Sequence, residues 1–167
     1  KAYSNDKIRL KKYPIISWLT VGFFQGAFTY LTVIHTVDRV SLIEILQNKY
    51  LFPAILSSLN LLGFYPMTQI YQHEEDARRG DMTMSRLLGI TGTFIFTASI
   101  FLIVTIAFFF YFKGVQIYNF PAFLVYLLVM SPVLIYFNLW FLKVFKNENQ
   151  ADFHHTMRLN MLGSVCL

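Results

Sequence analysis

The sequence predicts a polytopic bundle of transmembrane α-helices, and three observations predict it. Charged residues make up 14% of the chain against 56% hydrophobic. The charges are clustered so that four uncharged runs remain, residues 13–37, 50–72, 87–112 and 114–142, each longer than the roughly 20 residues of helix that cross a hydrocarbon core. The 18 Phe and 10 Tyr suit lipid-facing and interfacial positions better than a soluble core of this size.

Taken in order, the chain reads as a single membrane domain over residues 1–167, with spans at about 13–37, 50–72, 87–112 and 118–142. A fifth segment, 153–167, has the start of a further helix, but its uncharged part runs only from Leu159 to Leu167, too short to cross. The opening polar segment leads directly into a full-length span, without the short apolar stretch and cleavage site of a secretory signal, so no targeting segment is expected. With no initiator Met at Lys1, the sequence reads as a fragment cut at both ends.

Orientation follows from the basic residues. The N-terminal segment, the loop over residues 73–86 and the stretch after the fourth span hold eleven of the 14 Lys and Arg, while Arg39, Lys49 and Lys113 occupy the alternate connections. By the positive-inside rule the eleven-charge side is cytoplasmic, in a cell (inner or plasma) membrane. The sequence pI near 9.4 is on this reading a topology signal, and no basic run interleaved with aromatics points to nucleic acid.

The single Cys166 excludes an intrachain disulfide and a cysteine metal site. Among the histidines none has the i, i+4 partner of a zinc-type site. His35, His154 and His155 read as interfacial or packing residues, and His73 as support for a neighbouring site.

The second span has the clearest functional spacing. Tyr65, Gln69, Gln72 and Asp76 are separated by four, three and four residues, which places them on one face of an α-helix with Thr68 beside them. A polar stripe running from mid-membrane to the cytoplasmic end faces either a hydrogen-bonded helix seam or a water-filled cavity. Its acidic end favours the cavity. Pro66, lacking an amide donor, is expected to kink or open the helix locally.

Between the second and third spans lies the most polar insert, Gln72-His-Glu-Glu-Asp76-Ala-Arg-Arg-Gly80-Asp-Met-Thr-Met-Ser-Arg86-Leu-Leu-Gly89. Four carboxylates and three arginines in one junction have the chemistry to hold a metal ion and a phosphorylated ligand. They also suit a solvated helix of Glu–Arg pairs. Gly80 is expected to stop the helix with a left-handed turn, and residues 81–89 to form an amphipathic lid over a carboxylate-lined mouth.

Asp76-Ala-Arg-Arg-Gly80, with Thr83 and the closing Leu-Gly89, resembles the second aspartate-rich motif of the UbiA-type intramembrane prenyltransferases. Residues 2–14, Ala-Tyr3-Ser-Asn-Asp-Lys-Ile-Arg-Leu-Lys11-Lys-Tyr-Pro, are similar to the segment that leads into that family's fifth helix. Phe153-His-His-Thr-Met-Arg-Leu-Asn160 is similar to the entry of its ninth and last helix. The resemblance covers nearly the whole chain, as the C-terminal half of a nine-helix fold.

The resemblance implies transfer of an isoprenyl group from an isoprenyl diphosphate to a lipophilic, usually aromatic, acceptor of the quinone type. Mg²⁺ would be held by two aspartate-rich motifs, the other in an N-terminal half of the same protein. The metal and basic residues would stabilise charge developing on the leaving group. It assigns Asp76 and Lys11 to catalysis, Tyr3, Lys11, Arg78 and Arg79 to the diphosphate, and Asp76, Gln72 and Glu75 to Mg²⁺. Tyr65, Thr68 and Gln69 would line the cavity. Many relatives have aspartate where this chain has Gln72, which offers a carbonyl oxygen but no charge; Glu74, Glu75 or Asp81 would have to compensate. This fragment alone is expected to be inactive. A non-catalytic transport or scaffold protein using the same polar stripe is the competing class.

Overall fold

The computed structural model describes residues 13–115 and 120–166, so the expectations for Tyr3 and Lys11 lie outside the described residues. The described secondary structure is helical throughout. Four helices are long and apolar enough to cross a membrane: α1 (Pro14–Val37), α2 (Asn48–Arg78), α3 (Met84–Val115) and α4 (Phe120–Lys146). A shorter helix, α5 (Phe153–Cys166), follows. The chain is thus a membrane-embedded, multi-pass protein, and α2 continues six residues past Gln72, because the charged residues there mark the membrane surface rather than the end of the helix.

Successive helices pack on one another, and α5 returns to the middle of α2. At the α1–α2 seam the sequence places two glycines four residues apart. A Cβ on Gly22 would fall 2.3 Å from Leu62 Cδ2, and one on Gly26 only 2.5 Å from Ser58 Cα. Small residues of this spacing let membrane helices approach until backbone meets backbone. Ser58 uses that proximity, since its hydroxyl accepts from the Ala27 N–H (2.9 Å) and donates to the Gly22 carbonyl (2.8 Å). A side chain inserted between groups five residues apart widens the local helix, and residues Gly22–Phe28 adopt the π pattern.

Pro66 interrupts α2 as expected. It cannot donate to the Leu62 carbonyl four residues earlier, and Tyr65–Gln72 tightens to a 3₁₀ helix. Side chains of the neighbouring helices compensate: Trp18 Nε1–H donates to the Leu62 carbonyl at 2.8 Å and Thr97 Oγ1 to the Gly63 carbonyl at 2.9 Å. In a hydrocarbon environment such partners are what makes a broken helix tolerable.

The densest packing lies where this segment meets α3, α4 and α5. Met67, Ile70, Phe94, Val133, Phe137, Trp140, Val144 and Leu159 form one buried cluster, against which Cys166 packs. Phe94 meets Trp140 edge-on at 4.9 Å and stacks on Phe141 at 5.2 Å. Lipid is as apolar as these rings, so contact and shape rather than escape from water stabilise the cluster. Ile103, Phe110, Leu128 and Leu139 stay exposed on the outer faces of α3 and α4, where lipid covers them.

Candidate functional site

The C-terminal end of α2 is built by its closing turn. Gly80 has φ +70°, and the N–H groups of Gly80 and Asp81 return to the carbonyls of Ala77 (3.1 Å) and Asp76 (2.8 Å). These are the two bonds of a Schellman motif, which the left-handed glycine permits. The motif joins Asp76 to Asp81 through the backbone, and both side chains are buried, 1% and 2% exposed. The Arg86 guanidinium donates to the Asp81 carbonyl, placing a cation against the same turn.

Behind the turn runs a chain of hydroxyls. His73 Nε2 and Ser85 Oγ share a hydrogen bond of 2.8 Å, Ser85 lies 3.1 Å from Thr93 Oγ1, and Thr93 donates to the Gly89 carbonyl at 2.7 Å. Gly89 has φ +71°, a region closed to most side chains, and the helix bends there. Thr83, Ser85 and Thr93 are fully buried. Residues 81–89 are therefore pinned down on α2, and none of them is among the described residues lining the membrane cavity. The His73–Ser85 bond and the Gly89 bend fold this segment onto its neighbours.

The arginines expected at a diphosphate pair with carboxylates of their own helix. Arg79 pairs with Glu75 at 2.7 Å and Arg78 lies 3.9 Å from Glu74, all four side chains being mostly exposed. Surface pairs at i, i+4 contribute a few tenths of a kcal/mol at most. Gln72 Nε2 donates to the Tyr71 hydroxyl at 2.7 Å.

The polar stripe is split by the 3₁₀ segment. With three residues per turn, residue 68 lies above residue 65, whereas residues 69 and 72 turn to a different face. Thr68 lines a cavity of about 660 Å³ and donates to the Tyr65 carbonyl at 2.7 Å; Tyr65 and Gln69 are not among its described lining residues, and Gln69 is buried. The cavity lies between α2, α3, α4 and α5. Its polar walls come from Ser57, Asn60, Thr68, Asn160 and Ser164, and Phe64 and Phe101 face each other across 6.5 Å nearly parallel. Ser57, Asn60 and Phe64 are three and four residues apart, on one face of the α-helical part of this segment, and Thr68 joins them from the 3₁₀ part.

A second, more polar hollow of about 450 Å³ opens at the C-terminal end of α2 beside His73, Glu75, Arg78 and Glu148. Glu148 accepts from Thr91 Oγ1 at 2.8 Å, tying the start of α3 to the loop after α4. Of the other histidines, His155 stacks on Trp140 at 5.7 Å and His35 bonds the Val40 carbonyl at 2.7 Å.

Among the described residues no three His, Cys, Asp or Glu side chains converge as a metal cluster. Mg²⁺ commonly uses only one or two carboxylates and completes its shell with water and phosphate oxygens. Asp76, with the carbonyl oxygen of Gln72 four residues before it, fits that partial role rather than a closed protein site, and Glu75 is engaged by Arg79. Comparison with known proteins gives no match, whether among family models, curated proteins or solved structures.

Proposed function

We propose that this chain is the C-terminal half of a membrane prenyltransferase of the UbiA type, with the turn at Asp76 and Asp81 on the cytoplasmic side. The observation that carries the reading is the placement of a buried carboxylate and an intramembrane cavity on one helix. Asp76 sits at the cytoplasmic end of α2, and Thr68, on the wall of the cavity, lies eight residues earlier. Four of those steps are 3₁₀ and four α, a rise of roughly 14 Å. A lipid with a diphosphate at the surface and an apolar tail in the membrane has that division of charge.

On this reading Asp76 and Gln72 would hold Mg²⁺, and the metal would supply positive charge for a diphosphate leaving group. The bond between the prenyl carbon and its oxygen breaks, and the electron pair leaves with the diphosphate. An electron pair of the acceptor forms the new bond, and the acceptor's displaced proton passes to solvent. Arg86, held against the turn, is the described cation best placed to oppose the charge that builds there. The remaining ligands would come from an N-terminal half.

The test is prenyl transfer by the full-length protein in membranes, with a labelled isoprenyl diphosphate and a panel of lipophilic phenols and quinols. Asp76→Asn should reduce transfer on the order of a hundredfold or more, while Asp38→Asn, at the C-terminal end of α1, leaves it unchanged. Transfer indifferent to Asp76→Asn and to chelation of Mg²⁺ would remove the proposal.

A further inference from the structure

The outer face of α4 repeats every seven residues. Leu128, Ser131, Ile135, Asn138, Leu142 and Phe145 are spaced by three and four in strict alternation, and they lie on the side of the helix away from the buried Val133, Phe137, Trp140 and Val144. Such alternation keeps one narrow seam turned toward a parallel neighbour over several turns, as in a left-handed coiled coil. Leu128, Ile135, Leu142 and Phe145 are each at least 60% exposed. From Leu128 to Phe145 the seam is roughly 26 Å long, most of the thickness of a hydrocarbon core.

Asn138 is the member of this seam that lipid does not suit. It is exposed within the span that ends at Lys146, and roughly 12 Å of helix separates it from that end. An asparagine amide has two N–H donors and an acceptor oxygen. One N–H donates to the Leu134 carbonyl at 2.8 Å, and among the described residues the side chain makes no other hydrogen bond. The hydroxyl of Ser131, the other polar residue of the seam, donates to the Leu128 carbonyl at 2.7 Å, which Pro132 cannot serve. Hydrocarbon offers the Asn138 amide neither donor nor acceptor, so a polar partner at the same depth is favoured.

A second copy of the chain supplies that partner by symmetry. Two copies inserted with the same orientation are related by a two-fold axis along the membrane normal, which runs their α4 helices parallel and sets each residue at the same depth as its own counterpart. At residue 138 the oxygen of one amide meets the remaining N–H of the other, and the exchange is reciprocal. An unrelated helix would need a polar group of its own at that depth, whereas a second copy necessarily has one. The seam contains no charged residue, so the symmetry brings no like charges together. We infer that the protein forms a parallel homodimer through α4, with Asn138 paired to Asn138 across the two-fold. This pairing is independent of the proposed transfer reaction, since α4 turns its opposite face, with Met130 and Val133, to the membrane cavity.

The experiment places single cysteines in the full-length protein, its native cysteines replaced by serine, and oxidises them in dilute liposomes with copper phenanthroline. Ile135→Cys and Leu142→Cys should cross-link between copies at least about tenfold faster than Val129→Cys, which is also exposed but turned about 120° from Ile135 on the helix. Dimerisation is then measured by energy transfer between labelled copies in liposomes. Asn138→Leu should raise the dissociation constant on the order of tenfold, the size expected for an interhelical amide pair. Asn138→Gln keeps both donor and acceptor and should restore most of that loss. The cross-linking is read with Asn138 intact, so it tests the seam even if a variant at that position fails to fold. Equal cross-linking at the three positions, or a dimer as tight with Asn138→Leu as without it, would overturn the homodimer seam. So would an absence of cross-linking, and protection of Ile135→Cys from a lipid-soluble thiol reagent would then assign this face to another segment of the chain.

Discussion

Trp18 donates its indole N–H to the carbonyl of Leu62 across 2.8 Å, and that carbonyl is the one Pro66 cannot serve. A residue of the first helix thus completes the broken backbone of the second. Trp18→Phe keeps a ring against Phe96, which Trp18 now meets edge-on at 5.7 Å, and removes only the donor. The expected loss is about 1–3 kcal/mol, measured by reversible unfolding in mild detergent. Pro66→Ala restores an N–H for Leu62, so the cost of Trp18→Phe should shrink in that background. Additive effects of the two substitutions would show that the bond and the proline are unrelated.

The close approach of α1 and α2 gives a second expectation. Gly26→Val has to displace the Ser58 backbone and should separate the helices, with a loss of several kcal/mol or failure to assemble. Gly92→Ala places its Cβ at an ordinary 3.6 Å from Leu88 Cβ and should be neutral or slightly stabilising through helix propensity. Comparable losses at both positions would contradict the seam described.

Asp152 precedes α5 and accepts from the backbone N–H of His155 (2.8 Å) and from its ring Nδ1 (2.9 Å). Partial burial pushes its pKa up, but the hydrogen bonds and the charge of His155 outweigh that and hold it below the ordinary 3.8. The ionised form is therefore the one favoured by folding. Its contribution is fully present above the unfolded pKa and is lost as pH falls through the folded one. Asp152→Ala should cost about 1 kcal/mol at neutral pH, as for other N-caps, and should flatten the acid limb of the stability curve. An unchanged acid limb would exclude this cap as a source of pH dependence.

Most of the fold was legible because hydrophobic runs and charge clusters are properties of single segments. Residues 13–37 and 87–112 became α1 and most of α3 for that reason alone, and Pro66 and Gly80 acted locally as their backbone chemistry requires. What the sequence concealed depends on neighbours. The π turn at Gly22–Phe28 comes from Ser58, although the two glycines four residues apart were a visible sign of close packing. The stripe from Tyr65 to Asp76 assumed 3.6 residues per turn, whereas Pro66 imposes three. Asn60 was readable as a polar residue at helical spacing from Phe64 and Thr68, but Asn160 joins it only because α5 folds back on α2.

The central claim is that the turn at Asp76 serves an isoprenyl diphosphate, and binding of farnesyl diphosphate to the full-length protein in nanodiscs tests it most directly. The account predicts binding that requires Mg²⁺ and that weakens by at least about tenfold in Asp76→Asn, as expected when a charge-assisted contact is lost. Binding equally strong without Mg²⁺ and in Asp76→Asn, or no binding at all, would contradict it.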